Sequence, residues 1–268
     1  MTTVGAALPA VQAKPRMRST TLPRAIAGIV ILVVWQVTVR AFAPDFVATP
    51  TGIIEAIPPV VSSSAFLEAI GITLAATAEG LLIALVLGTA LGLLMGRDAT
   101  ADRALRLWIN SFNAMPMILI LPLVSLWFGY SSLARLATIV FAAVFAVIIN
   151  AAEGAQSVPR EYLEVGRSFR SSALRGLFEI VLPASTPYLL SGLRLAAGRA
   201  IIGAVVAEFF TAIPGIGYFI LYNSRTFHHN EAFVAVIFLA GFGVGFDALV
   251  NWATRRYLPW YRRDEMTD

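Results

Sequence analysis

Apolar residues dominate six runs of the chain, at 25–43, 70–96, 108–128, 133–152, 188–211 and 232–254, and short polar segments separate them. Each run is close to the ~20 residues that a helix needs to cross a hydrocarbon core. The pattern predicts an all-α membrane protein with about six transmembrane helices. Composition agrees, since 58% of residues are hydrophobic and 13% charged. A soluble domain carries nearly twice that charged fraction. The 268 residues leave no room for a separate soluble domain beside six spans.

The intervening segments divide the chain further. Residues 1–24, with Lys14, Arg16, Arg18 and Arg24, read as a cytoplasmic tail. Residues 25–43 read as a retained first span. Ala41-Phe42-Ala43 imitates a signal-peptidase site, but the apolar run exceeds a usual signal segment. Residues 44–69 carry Asp45, Glu55 and Glu68 and no Lys or Arg, which suits an extracytoplasmic segment. Within it, Thr51 to Leu67 is expected to form a short interfacial helix broken at Pro58-Pro59. Residues 70–254 form the transmembrane core. Gly88, Gly92 and Gly96 make a smooth stripe for close helix approach. Residues 97–107 read as a cytoplasmic return loop. Pro116 and Pro122 interrupt the third span, so it is either kinked or lines a cavity, because each proline frees a carbonyl that needs another partner. Gly129 to Ser132 reads as a tight outer turn, and 212–231 as an outer loop holding Pro214-Gly-Ile-Gly217 and His228-His229. Residues 255–268 close the chain as a cytoplasmic tail, with Trp252, Tyr257, Trp260 and Tyr261 as interfacial anchors.

Cations set the orientation. Segments 1–24, 97–107, 153–187 and 255–268 hold nearly all loop Lys and Arg, so both termini are expected inside. The net charge of +4 follows this distribution and gives no reason to expect a nucleic-acid partner.

The longest polar segment, 153–187, is more ordered than a connecting loop requires. Residues 160–183 carry four Arg and three Glu with helical spacing on both sides of Ser171-Ser172. Pro159 can open a first helix, either serine can cap a second, and Pro183 can stop it. Leu163 and Phe169 are placed on one face of the first helix, and Leu174, Leu177, Phe178 and Val181 on one face of the second.

This stretch resembles the EAA loop of permease subunits of ABC importers. The family pattern is Glu-Ala-Ala, three residues, Gly, nine residues, Ile, one residue, Leu-Pro. Glu164, Gly166, Ile180, Leu182 and Pro183 fall on it in register, with Gly166 in place of the second alanine and Arg170 at the family glycine. Residues 191–210 and 122–129 are similar to the nitrate/sulfonate/taurine-type branch, and the resemblance spans roughly 45–262. It implies a type I ABC importer permease-like (MetI-like) fold in a bacterial inner membrane. It also implies a permease homodimer enclosing the path, two separate ABC ATPase subunits and an extracytoplasmic substrate-binding protein. Coupling to the ATPase would then involve Glu161, Leu163, Glu164, Gly166, Phe169, Arg170, Ser171, Ser172, Ile180, Leu182 and Pro183. The branch points to a small anion such as nitrate, a sulfonate or taurine, and also contains carriers of heterocyclic vitamin precursors. Arg170 is expected to keep an ordinary negative φ and to point toward an acidic residue of the ATPase.

Catalytic signals are absent from the sequence. Lys14 is the only lysine and lies in no phosphate-binding loop, so ATP and its Mg²⁺ are expected on the partner ATPase and no cofactor on this chain. There is no cysteine, and the adjacent histidines lack the i, i+4 spacing of a helical metal pair. Charges inside spans are expensive and need reasons. They are Glu79, Arg194, Arg199, Glu208 and Asp247. Arg194 and Asp247 are expected at similar depth, as a pair or snorkelling separately. Arg199 or Glu208 either faces the path or pairs inside the bundle. An ion-coupled secondary transporter using Glu79 or Glu208 is the rival reading. Gly192, Ala196, Ala200 and Ala204 form a second small-residue stripe, placed either at a dimer axis or within one protomer.

Overall fold

The computed structural model describes residues 21–257 apart from residue 45. The tail up to residue 20, and Trp260, Tyr261, Arg262 and Arg263, lie outside these residues. The described residues are helical, joined by turns, with no strand among them. The order is α1 Thr21–Phe42, α2 Pro50–Val61, α3 Ser64–Arg97, α4 Ala99–Ala114, a 3₁₀ turn Met117–Leu119, α5 Leu121–Phe128, α6 Ser132–Gln156, α7 Arg160–Ser168, α8 Ala173–Gly176, a π-turn Leu177–Val181, α9 Leu182–Thr211, α10 Ile216–Arg225 and α11 His229–Tyr257. Five helices are long and apolar enough to span a membrane, and α4 with residues 117–128, bent by 92°, adds a sixth when the pair counts as one broken span.

Helices α3, α6 and α9 form the centre of the bundle. A Cβ added at Gly88, Gly92 or Gly96 would lie 2.6, 2.5 or 2.4 Å from the side chains of Val147, Ala151 and Ala155, so the glycine stripe lets α3 lie against α6. On α9, Ala196, Ala200 and Ala204 are fully buried against Ala84, Ile139 and Ala143. That stripe is therefore spent within one chain. The dimer-axis placement of it is overturned, because small residues pack where backbones approach closely and both neighbours here are helices of the same protomer.

Three expected boundaries also move. Helix α2 runs through Pro58-Pro59 instead of breaking there, and Leu67 belongs to α3. The carbonyls that the two prolines leave free are those of Ile54 and Glu55, both exposed residues, so the loss is tolerated. The chain breaks instead at Ser62-Ser63, where Ser62 Oγ donates to the Pro58 carbonyl at 2.8 Å and Ser63 Oγ accepts from the Phe66 N–H at 3.3 Å. Segment 97–107 is a helix from Ala99 onward rather than a loop. Asp98 ends α3 and caps α4, accepting from the Thr100 and Ala101 N–H groups at 2.7 and 3.1 Å. The Ala101 bond, then the Thr100 bond, hold its carboxyl below the usual range. Within 212–231, residues 216–225 are the helix α10.

The third span is broken outright. The two halves meet at 92°. Pro116 disfavours helical backbone at the residue before it, and Met115 accordingly sits at φ −70°, ψ 130°. Pro122 then occupies the first turn of α5, where its missing N–H costs nothing.

Candidate coupling surface and membrane cavity

At one end of the bundle, α7 begins directly after Pro159 and ends in a left-handed residue. That residue is Arg170, at φ +52°. The Ser171 N–H donates to the Gly166 carbonyl at 3.0 Å, closing the six-residue ring of a Schellman cap. The expectation of an ordinary negative φ is overturned. The turn keeps the geometry that glycine suits, and Arg170 adopts it at a cost of roughly 1 kcal/mol or more. Its side chain is exposed. Ser172 starts the next helix, its Oγ accepting from the Arg175 N–H at 3.3 Å. Pro183 does not stop this helix. It lies in the first turn of α9, preceded by the wide π-turn in which the Leu182 N–H bonds to the Leu177 carbonyl. Residues 173–211 thus form one continuous helical rod.

The two expected apolar faces split. Leu163, Leu177, Ile180 and Leu182 pack with buried Val181 on Leu93, Ala155 and Val158. A Cβ on Gly166 would meet Ile180 Cδ1 at 2.9 Å, so this glycine lets α7 settle on the rod. Phe169, Leu174 and Phe178 stay 83%, 70% and 62% exposed, and Leu174 and Phe178 line an open apolar groove with Leu85 and Leu94 of α3. Glu161 and Glu164 are exposed as well. Gly166, Ile180, Leu182 and Pro183 hold the stretch together, while Glu161, Glu164, Phe169 and Arg170 form its outward surface.

Charges within the spans meet different fates. Glu208 is fully buried near the far end of α9. It accepts from Thr73 Oγ1 at 2.8 Å and from the Gly217 N–H at 2.8 Å, and Arg135 Nη1 lies 3.3 Å away. Arg135 also donates to the Pro214 carbonyl at 2.9 Å. The Pro214–Gly217 turn folds over the carboxylate, and a Cβ at Gly215 would sit 2.2 Å from it. Arg194 Nε and Asp247 Oδ1 are 3.9 Å apart and so at one depth, with side chains 31% and 57% exposed. Glu79 is exposed on α3, with no hydrogen bond or ion pair among the described residues.

Arg199 lies midway along α9 and is half-buried. Its Nη1 donates to Asn113 Oδ1, on the last turn of α4 just before the 92° break. Beside this pair lies a cavity of about 160 Å³ walled by Phe112, Met117, Phe141 and Phe145. The three phenylalanines form a mutual ring cluster with centroids 5.0 to 6.3 Å apart. Of the two readings of the interrupted span, the structure has the one that lines a cavity. Arg135, Thr73 and Asn113 were missed as site residues. Asn113 had one usable signal, a polar side chain three residues before the proline that breaks the span.

The family model of the binding-protein-dependent transport system inner membrane component matches residues 84–263. The chain belongs to that family. It is an ABC importer permease and not an enzyme. A nitrate import permease from Leptolyngbya laminosa is 31% identical over 249 residues, covering 89% of this chain and 88% of that one. A formylaminopyrimidine transport permease from Halalkalibacterium halodurans is 28% identical over 236 residues, covering 88% and 94%. A putative aliphatic sulfonates permease from Bacillus subtilis is 28% identical over 254 residues, covering 94% and 92%. Among solved structures, a chain of the inward-facing methionine ABC transporter MetNI superposes with a TM-score of 0.59 at 17% identity, over 72% of this chain and 97% of that chain. The MetI-like fold is thereby shown for this permease.

Proposed function

We propose that two copies of this permease enclose one translocation path and that two separate ATPase chains dock on residues 160–183. ATP and Mg²⁺ reside on those partners. The end carrying α7 and α8 faces the cytoplasm of a bacterial cell, as do both termini. A binding protein delivers a small anion of the nitrate, sulfonate or taurine kind to the opposite end. The observation that carries the reading is the exposed pair Leu174 and Phe178 on the rod that continues into the central helix α9, with Phe169 exposed on the turn before it. Apolar side chains held outward on a charged end of a membrane protein suit a protein partner. A continuous helical rod carries a displacement at that surface into the bundle, as rigid-body switching requires. The ion-coupled alternative draws no support from Glu208, whose carboxylate is enclosed by its own bundle.

The test is co-purification of the permease with an ABC ATPase expressed alongside it. Phe178→Asp with Leu174→Asp is expected to abolish ATPase binding, while the variant chain keeps the parent's thermal unfolding midpoint in detergent. Full ATPase binding by a well-folded double variant would sink the docking assignment. A reporter fused after Arg170 that reads as external would reverse the orientation.

A further inference from the structure

We propose that the cavity at the break of the third span is an anion-binding station, with the Arg199 guanidinium as its cation and the Asn113 amide as its second donor group. The inference rests on the importer reading and names the chemistry of its path. Three observations converge on it. First, Arg199 makes no ion pair among the described residues, whereas Arg106, Arg135, Arg175 and Arg194 each have a carboxylate within 4 Å. Guanidinium carries five N–H donors in a planar fork, and Asn113 engages a single one of its nitrogens. Second, no Asp or Glu lines the cavity. Its wall therefore carries an uncompensated positive charge midway along a spanning helix, which is costly unless water or an anion reaches it. Third, the cavity exists because Pro116 breaks the span, and irregular backbone at membrane depth persists where it lines a cavity. Its roughly 160 Å³ is well above the ~10–15 Å³ that a cavity needs to admit one water, so a planar oxyanion or a short sulfonate fits. The Phe112, Phe141 and Phe145 cluster forms the apolar remainder of the wall, where an alkyl or flat group attached to the anion would lie.

The protein contains no cysteine, so one introduced thiol reports on one place. Met117→Cys puts a thiol on the cavity wall. The full-length chain in lipid nanodiscs is treated with anionic sulfonatoethyl, cationic trimethylammonioethyl and neutral methyl methanethiosulfonates. Each forms a mixed disulfide with the thiolate and releases methanesulfinate. The anionic-over-cationic rate ratio is expected to fall about tenfold on Arg199→Gln, as removal of a nearby charge in a partly desolvated site predicts. Arg199→Lys should retain the ratio. Sodium nitrate or sodium ethanesulfonate should slow the anionic reagent relative to gluconate at matched ionic strength. A ratio unmoved by Arg199→Gln, no slowing by either salt, or a thiol that the neutral reagent cannot reach would each overturn the station. ATPase co-purification with the same chains is read separately. If the ATPase binds and the ratio does not move, the station fails and the docking assignment stands. If no ATPase binds and the ratio collapses on Arg199→Gln, the station stands and the docking assignment fails.

Discussion

Arg199 and Glu208 stand nine residues apart on α9 and are treated in opposite ways. Around Glu208 the fold has brought a hydroxyl, a backbone N–H, a guanidinium and a glycine turn, and the carboxylate is fully buried. Around Arg199 it has brought one amide, three aromatic rings and a cavity. A charge in a spanning helix is thus either consumed by structure or left with unused capacity, and position in the span alone does not say which. Unused donors beside open space mark the site with something left to bind.

The largest expected effect tests that contrast directly. Glu208→Ala leaves Arg135 buried without its carboxylate and should cost about 3–5 kcal/mol, read as a loss of folded protein or a steep fall in the detergent unfolding midpoint. Arg199→Ala should cost far less, because its cavity can admit water to the Asn113 amide. Equal losses at the two positions would break the comparison. Packing offers a second version. Gly92→Leu drives a side chain into Ala151 and the Ile148 carbonyl and should destabilise by about 1–3 kcal/mol, whereas Gly198→Leu meets open space and should change the midpoint little.

A smaller effect is expected at the coupling end, where strain can be relieved. Arg170→Gly removes the left-handed penalty but loosens the unfolded chain, so it should stabilise by at most about 1 kcal/mol, while Arg170→Ala should not. If glycine gives no advantage in the melting curve, the positive φ at 170 carries no strain. The smallest effect belongs to Arg194 and Asp247. At 3.9 Å and with both side chains partly exposed, the pair should contribute less than about 1 kcal/mol in a double-mutant cycle. A larger coupling would put this pair in the same class as Arg135 and Glu208.

The parts of this protein that sequence made legible are those governed by local chemistry. Apolar run length marked the spans, because a fixed hydrocarbon thickness demands it. Ser172 was readable as one of two candidate caps, and the spaced glycines of α3 as a contact stripe. Gly166, Ile180, Leu182 and Pro183 were readable as a motif. Pro183 was misread as a stop because proline is also at home in a first helical turn, and only the π-turn before it shows which role it plays.

By itself, then, the sequence determined that this is a multi-span helical protein, that its third span is interrupted, and that residues 160–183 form a structured polar element. The tertiary structure decided which charges meet. Arg135 and Glu208 are 73 residues apart in the chain, and their contact depends on how α6 and α9 are rotated against each other. It also decided that the alanine stripe of α9 is used within one chain, that Phe169, Leu174 and Phe178 stay exposed, and that the break at Pro116 opens beside Arg199 rather than merely bending a helix. Those outcomes rest on helix rotation and register, which many residues set together and no short motif encodes.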